Sequence, residues 1–209
     1  MPRVVDPVER RRELAEAVWR VIRRDGLEQA SVRNVAREAG LSMGSLRHYF
    51  DSQSKLLAFA LNMVIERIEQ RISALVPQTD PRLRAEQVLA ELLPMDAERQ
   101  AENEVWLAFT ARAQADPELR ALRDRGYDVL HAGCRRLVQD LLGAGASTAD
   151  IDLQAERLHA LIDGLAVHAA TRPDRNGPER MAALVSRHLD DLAQGASQSQ
   201  LRQARGVAQ

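Results

Sequence analysis

The chain has 209 residues, of which 45% are hydrophobic and 3% aromatic, enough to bury the core of one large domain or two modest ones. The single cysteine, Cys134, excludes an intrachain disulfide framework, and no apolar run approaches the roughly 20 residues of a membrane-spanning helix. With no signal peptide at Met1, the sequence predicts a cytoplasmic protein that does not associate with membranes.

Charge is distributed unevenly along the chain. The net charge of −1 argues against a protein that coats nucleic acid without selectivity. Residues 1–57 contain ten arginines and one lysine against eight acids, a net charge of +3, which leaves −4 on the remainder. A mildly basic head on an acidic body is typical of a protein that touches DNA with one end only.

Strong helix formers dominate, and no stretch alternates like a β-strand, so the predicted fold class is all-α. A first helix is predicted from Val8 to Arg24, ending at Gly26. Its apolar positions recur at helical spacing: Leu14, Ala17, Val18, Val21 and Ile22. The run Arg10-Arg11-Arg12 is either a phosphate-binding arm or the solvated start of this helix, and both interpretations stay open.

The twenty residues from Ser31 to Phe50 predict a helix-turn-helix. Ser31 is a good N-cap for a short helix, and Gly40 tolerates the positive φ angle of a helix C-terminus. Ser42 then caps a second helix, whose inward face is Met43, Leu46 and Phe50.

Polar side chains cover the outward face of the second helix, which is the helix that this motif inserts in the DNA major groove. They are Ser42, Ser45, Arg47, His48 and Tyr49. These side chains can form hydrogen bonds with bases and phosphates. In an all-α protein without a DNA role, the same residues would be a solvated face.

From about Val8 to Leu57 the chain resembles the DNA-binding domain of the TetR family of bacterial transcriptional regulators. The family pattern runs roughly Thr-x-x-x-Ile-Ala-x-x-Ala-Gly-Val-Ser-x-Gly-x-Leu-Tyr-x-His-Phe. The residues that fall on it in register are Ser31, Val35, Ala36, Ala39, Gly40, Leu41, Ser42, Gly44, Leu46 and Phe50. The chain departs from it at Arg47, where a tyrosine is usual, at Tyr49, where a histidine is frequent, and at Gln53, where a phosphate-binding lysine is usual.

This resemblance implies an N-terminal DNA-binding domain over residues 1–53, with a three-helix head, and an all-helical ligand-binding and dimerisation domain over residues 54–194. Residues 195–209 lack apolar periodicity and are expected to be a disordered tail or a frayed helix. The resemblance also implies a double-stranded DNA operator as partner. Met43 and Gly44 join the five outward residues as candidates for the groove, and the candidates for phosphates are Ser31, Arg33, Gln53 and Lys55.

A long helix follows Phe50 and ends near Pro77, with Leu56, Ala60 and Val64 among its buried residues. It is long enough to run from the DNA-binding end into the second domain, so that a tilt at its far end moves the head. A plain core helix is the alternative interpretation.

Five further helices are predicted near residues 82–93, 98–115, 117–143, 150–170 and 177–193, separated by proline and glycine. Four segments look like the C-terminal domain of a BetI-like branch of the TetR family. They are Leu92-Leu93-Pro94-Met95-Asp96, the stretch from Trp106 to Phe109, Asp116-Pro117, and Asp163-Gly164-Leu165.

In this family the last two long helices of each subunit form a four-helix dimer interface, which implies a homodimer. Two apolar stripes match that expectation, and the alternative is that both face their own core. The first stripe is Leu158, Leu161, Ile162 and Leu165, and the second is Met181, Leu184, Val185, His188, Leu189 and Leu192.

The family also implies a small-molecule pocket in the second domain. Large planar or polar-tipped side chains on the Ala/Leu-rich helices are the candidates for ligand contacts, although aromatic residues in helices are more often plain core. These candidates are Trp106, Phe109, Tyr127 and His131. The effector itself is not identified by the sequence.

No metal or cofactor is expected. His131 with Cys134 and His159 with Asp163 have helical ligand spacing, but a stable transition-metal site needs about four ligands and no cluster supplies the others. The phosphate loop, nucleophile elbow and His-Glu-x-x-His motifs are absent from the sequence. The resemblance to the TetR family implies a ligand-responsive repressor released from a palindromic operator. The alternatives are a ligand-independent DNA-binding repressor or architectural protein, and an all-α enzyme.

Overall fold

A computed structural model describes the backbone of residues 7–206 and the side chains of residues 9–195. This part of the chain contains nine α-helices, one 3-10 turn at Leu27–Gln29 and no strand, which confirms the all-α prediction. The helices are α1 Pro7–Asp25, α2 Val32–Glu38, α3 Met43–Arg47, α4 Gln53–Ala74, α5 Pro81–Leu92, α6 Ala97–Ala115, α7 Pro117–Leu142, α8 Thr148–Thr171 and α9 Pro178–Gly206.

The chain divides into two compact units, and helices α4, α6 and α7 contribute residues to both. The first unit comprises the chain up to Gln70 together with Gln100–Arg123. Its core joins the apolar faces of α1, α2 and α3 to α4 and α6. Trp19 is buried in this core, and the guanidinium carbon of Arg67 lies 4.3 Å from the centre of its ring.

The core of the first unit extends beyond the predicted head of residues 1–53. Leu56 and Leu61 of α4 and Phe109 of α6 are almost fully buried in it. Ser54 at the start of α4 donates a hydrogen bond of 2.5 Å to Asp116, whose carboxylate also accepts the Glu118 N–H at the start of α7. The helices that carry the DNA-binding motif are therefore packed on helices far along the chain.

The second unit contains Arg71–Arg99 and the residues from Asp124 onward. Its core is built from α5, α7, α8 and α9. Arg82 of α5 fastens the last helix, because its guanidinium donates to Asp190 Oδ1 and to Ser186 Oγ, both at 2.6 Å. Within the described residues, no helix of either unit is long and apolar enough to cross a membrane.

Most residues of the two predicted dimer stripes lie in the core of their own chain, where no partner can reach them. Seven of the ten are at most 6% exposed: Leu158, Ile162, Leu165, Met181, Val185, Leu189 and Leu192. Leu161, Leu184 and His188 are partly exposed. A stripe at helical spacing marks a buried face, and here that face packs on α5 and α7.

The last helix is longer than the sequence indicates. Its backbone continues to Gly206, beyond the predicted end near residue 193, and so extends into the segment where a disordered tail or a frayed helix was expected. Residues 198–205 are rich in glutamine, leucine, alanine and arginine, which favour helix even without an apolar stripe. Residues 207–209 lie outside the described part of the chain.

Candidate nucleic-acid interface

Helix α2 and the turn after it form as their sequence predicts. Ser31 Oγ accepts the Asn34 N–H at 3.2 Å and caps the helix. Gly40 has φ 65°, the Leu41 N–H donates to the Ala36 carbonyl at 2.9 Å, and the Gly40 N–H donates to Arg37 at 3.3 Å. These two bonds satisfy the last carbonyls of α2 and turn the chain sharply toward α3.

Helix α3 is only five residues long and is capped by Ser42, whose Oγ accepts the Ser45 N–H at 3.0 Å. Leu46 is fully buried, and Phe50 follows the helix with 4% exposure. Met43 is 38% exposed and so belongs to the outward face, which corrects its place beside Leu46 and Phe50. Packing of Leu46 and Phe50 thus holds this short helix in place, and its other side chains are exposed.

The candidates for the major groove share one exposed surface on and around α3. Its exposed residues are Ser42, Met43, Gly44, Ser45, Arg47, His48 and Tyr49. Ser42 and Ser45 hydroxyls lie 2.9 Å apart and bond to each other. Tyr49 is 47% exposed. The surface offers hydroxyl, guanidinium and imidazole groups of the kind that read base edges.

The four candidates for phosphate contacts differ in whether their polar groups are already bonded within the protein. Arg33 is exposed and, within the described residues, has no ion-pair partner, as is also true of Arg47. Gln53 Nε2 donates to the Ala30 carbonyl at 3.0 Å, so its amide is already committed within the protein. Lys55 forms an ion pair with Asp51. Ser31 keeps its hydroxyl proton available, since its bond to Asn34 uses the oxygen as acceptor.

An ion-pair clamp that the sequence did not reveal joins α1 to α2. Glu38 accepts from Arg20 Nε at 2.7 Å and from Arg24 Nη1 at 2.8 Å, and its side chain is 18% exposed. The two guanidiniums hold the pKa of Glu38 below its usual range. The arginines stand four apart on α1, but nothing in the sequence says which acid faces them.

The arginine run at the start of α1 is engaged within the protein. Arg10 pairs with Glu13 at 2.7 Å, and Arg12 pairs with Glu9 at the same distance. Arg11 lies with its guanidinium carbon 5.5 Å from the centre of the Phe59 ring. These contacts favour the solvated start of a helix over a free arm.

The four predicted ligand contacts are divided between the two units. Phe109 is fully buried in the core of the first unit, and Trp106 packs against that core. Tyr127 and His131 belong to the second unit, where their rings are nearly parallel with centres 6.1 Å apart.

Three residues of α8 complete a polar cluster with Tyr127 and His131. His159 is 2% exposed, and its ring centre lies 4.5 Å from that of Tyr127. Glu156 accepts from the Tyr127 hydroxyl at 3.2 Å and lies 3.5 Å from His131 Nδ1. Asp163 Oδ2 is 3.6 Å from His159 Nε2, and burial raises the pKa of Asp163, with His159 opposing that rise.

This cluster, Tyr127, His131, Glu156, His159 and Asp163, combines ring faces with two carboxylates. It is suited to a cation, because ring faces and carboxylates both attract positive charge. Among the described residues, no group of three or more His, Cys, Asp or Glu side chains is arranged to hold a metal ion.

A separate open cleft of about 220 Å³ lies in the first unit between α1 and α4. Arg11, Phe59, Met63 and Glu66 are among its lining residues. None of the four predicted ligand contacts lines it.

Comparison with known proteins gives matches over both parts of the chain. Residues 14–59 match the family described as bacterial regulatory proteins, tetR family, and residues 81–194 match the BetI-type transcriptional repressor, C-terminal family. The HTH-type transcriptional regulator PksA of Bacillus subtilis (strain 168) is 42% identical over 198 residues, which cover 92% of this chain and 94% of PksA.

Solved structures agree with this assignment. A transcriptional regulator from Rhodococcus sp. Rha1 is 31% identical with a TM-score of 0.75, over 88% of this chain and 96% of that chain. A regulator from Saccharomonospora viridis, solved in complex with choline, is 26% identical with a TM-score of 0.71, over 90% of this chain and 96% of that chain. These relatives are regulators and not enzymes. The chain therefore belongs to the TetR family and is a DNA-binding transcriptional regulator with a BetI-type C-terminal domain.

Proposed function

We propose that this regulator is a homodimeric repressor in the cytoplasm, which binds a palindromic operator through α3 and is released by a small molecule. The observation that carries the proposal is the exposed polar surface on α3, anchored from below by Leu46 and Phe50. A two-fold dimer presents two such helices to successive major-groove turns, roughly 34–36 Å apart, and so reads an inverted repeat.

The first experiment is a gel-shift titration on the DNA immediately upstream of the protein's own gene, with excess unrelated DNA and at two salt concentrations. We expect selective retardation that weakens as salt rises, because phosphate contacts release counterions. Retardation that unrelated DNA abolishes would favour an architectural protein without a specific operator.

Two substitutions separate base contacts from phosphate contacts. Tyr49→Ala should weaken operator binding by about 1–3 kcal/mol and leave binding to unrelated DNA unchanged. Arg33→Ala should weaken both and lower the salt slope by about one unit. Arg136→Ala, which removes an exposed arginine of the second unit, is the matched control. Equal behaviour of all three variants would contradict the proposed interface.

The dimer interface is proposed on a face of α8 other than the buried stripe. Leu153 and Val167 are 59% and 42% exposed. Ala160 and Gly164 lie between them at helical spacing, so all four share one face. Small residues in the middle of an apolar face allow a second copy of the helix to approach closely. Leu161, Leu184 and His188 remain candidates at its edge.

The proposed effector is a small organic cation that binds the cluster of Tyr127, His131, Glu156, His159 and Asp163. Two observations support it: the ring faces and carboxylates in one place, and the choline complex of the Saccharomonospora viridis relative. The proposal reduces the role of Trp106 and Phe109, which lie in the first unit.

Calorimetry with choline and with its uncharged carbon analogue, 3,3-dimethylbutan-1-ol, tests the choice of a cation. We expect heat of binding with choline only, and a loss of about tenfold or more in affinity for Glu156→Gln. Release of the operator by choline in the gel shift would link binding to function. Equal binding of both compounds would contradict a cation site.

A further inference from the structure

Asp51 is an exposed acid at the end of the surface proposed to face DNA. Between Ser31 and Lys55 the sequence holds two acids, Glu38 and Asp51. Glu38 is occupied by Arg20 and Arg24 of α1. The side chain of Asp51 is 61% exposed and comes two residues after Tyr49, at the end of the surface proposed to face DNA.

The carboxylate of Asp51 is bound to Lys55, one turn along the chain. Lys55 Nζ donates to Asp51 Oδ2, and the Lys55 N–H donates to Ser52 Oγ at 3.2 Å, which fixes the first turn of α4. The pairing lowers the pKa of Asp51 and raises that of Lys55, so both groups are charged at neutral pH. An exposed pair of this kind contributes little to folding.

No other cation at the start of α4 takes the place of Lys55. Gln53, at the position where a phosphate-binding lysine is usual in the family, is neutral and bonded to the Ala30 carbonyl. Lys55 is the single lysine of the chain. A DNA phosphate that approaches this turn therefore meets an ammonium group whose charge Asp51 already balances.

We propose that Asp51 is a counter-charge that limits the affinity of this regulator for DNA of any sequence, because a phosphate must displace it to reach Lys55. The proposal rests on the DNA interface proposed above. A counter-charge that competes with phosphates for Lys55 should weaken specific and non-specific binding alike. Its effect is to keep non-specific binding low, so that tight binding depends on the base contacts of α3.

The test compares the full-length protein with Asp51→Asn, Lys55→Gln and the double variant. Fluorescence anisotropy on a labelled mixed-sequence duplex of about 30 base pairs gives affinity at several salt concentrations, without knowledge of the operator. Asp191→Asn is the matched control, since it removes the acid of an exposed i, i+4 pair with Arg187 in the second unit.

We expect Asp51→Asn to bind the duplex about three- to tenfold tighter at low salt, with a salt slope steeper by about one unit. Lys55→Gln should bind more weakly than the wild type with a shallower slope, and Asp51→Asn should gain much less in that background. Asp51→Asn that matches Asp191→Asn, or that binds more weakly than the wild type, would overturn the proposal and leave DNA binding intact. Absence of binding by every protein would overturn the interface as well.

Chemical acylation of Lys55 gives a second, independent readout. Because the chain has one lysine, an amine-reactive reagent labels one side chain, and mass spectrometry of peptides separates it from the N-terminus. We expect DNA to slow labelling of Lys55, and Asp51→Asn to speed labelling without DNA, since loss of the pair releases the proton more readily. If DNA does not change the labelling rate of Lys55, the proposal that Lys55 exchanges its ion pair with Asp51 for one with a phosphate would be overturned.

Discussion

Leu46 shows how a single side chain places a reading surface. It is the buried residue of α3, and the other four residues of that helix are exposed. A five-residue helix has too few internal hydrogen bonds to be stable alone, so packing through Leu46 and Phe50 holds it in place. The four exposed residues of α3 that are proposed to contact DNA therefore contribute little to the packing that holds this helix.

Cys134 is a potentially reactive side chain whose burial makes it unreactive. The residue is 1% exposed, and burial raises the pKa of its thiol to about 12. At pH 8 the thiolate fraction should be roughly a thousandfold lower than for a free cysteine. We expect a thiol reagent to label the native protein at least that much more slowly than the protein in denaturant. Rapid labelling of native protein would contradict the packing of α7 on α8, and Cys134→Ser supplies the blank.

At the scale of elements, the turn between α2 and α3 depends on backbone geometry at one glycine. Gly40 has φ 65°, and a Cβ there would meet no atom within 4 Å, so Gly40→Ala should cost about 1–2 kcal/mol through backbone strain alone. Thermal denaturation of the variant and the wild type measures this loss of stability.

Gly44→Ala is the matched comparison in the same motif. A Cβ at Gly44 would lie 3.8 Å from Ser42 Oγ, an ordinary contact, and the residue is helical, so alanine should stabilise α3 by up to about 1 kcal/mol. We expect the two variants to change the melting temperature in opposite directions. An unchanged melting temperature for Gly40→Ala would mean that the turn tolerates a side chain at this position.

The clamp between α1 and α2 gives a pH dependence of stability. Arg20 and Arg24 lower the pKa of Glu38 in the folded protein, so the stabilisation is present above the unfolded pKa and is lost as pH falls through the folded one. Glu38→Gln should therefore unfold at lower denaturant than the wild type at pH 7, and the difference should shrink toward pH 3. Glu28→Gln, at an exposed acid of the 3-10 turn, is the control, and a constant difference across pH would exclude the clamp.

The elements show where sequence information suffices. The caps at Ser31 and Ser42 and the breaks at Gly26 and Gly40 are local signals, so helix positions followed from them to within a few residues. Which buried face meets which partner is not local. The apolar stripes of α8 and α9 are real, but periodicity cannot distinguish a chain's own core from a dimer seam.

The same limit applies to the candidate sites. Exposure of Arg47 and Tyr49 followed from their places between the buried residues Leu46 and Phe50. The bond from Gln53 to Ala30, the ion pair of Lys55 and the place of Glu156 and His159 in the proposed effector cluster depend on side-chain geometry. For this reason the exposure of the candidate residues followed from the sequence, and their hydrogen bonds and ion pairs did not.

At the scale of the whole molecule, the proposed dimer is tested by charge on the exposed face of α8. The double variant Leu153→Glu and Val167→Glu should be monomeric in sedimentation equilibrium, because burying two like charges against a second copy is strongly unfavourable. Val129→Glu, at a residue of α7 that is 68% exposed, should stay dimeric. A dimeric double variant would place the interface elsewhere.

The two tryptophans of the chain, Trp19 and Trp106, both belong to the first unit. Intrinsic fluorescence excited at the red edge of protein absorption thus reports on the DNA-binding unit alone. An effector bound by the cluster on α7 and α8 would change that emission only if its influence reached the first unit. Stopped-flow measurement of tryptophan emission after effector is added would therefore show, without any attached label, whether and how fast effector binding changes the DNA-binding unit.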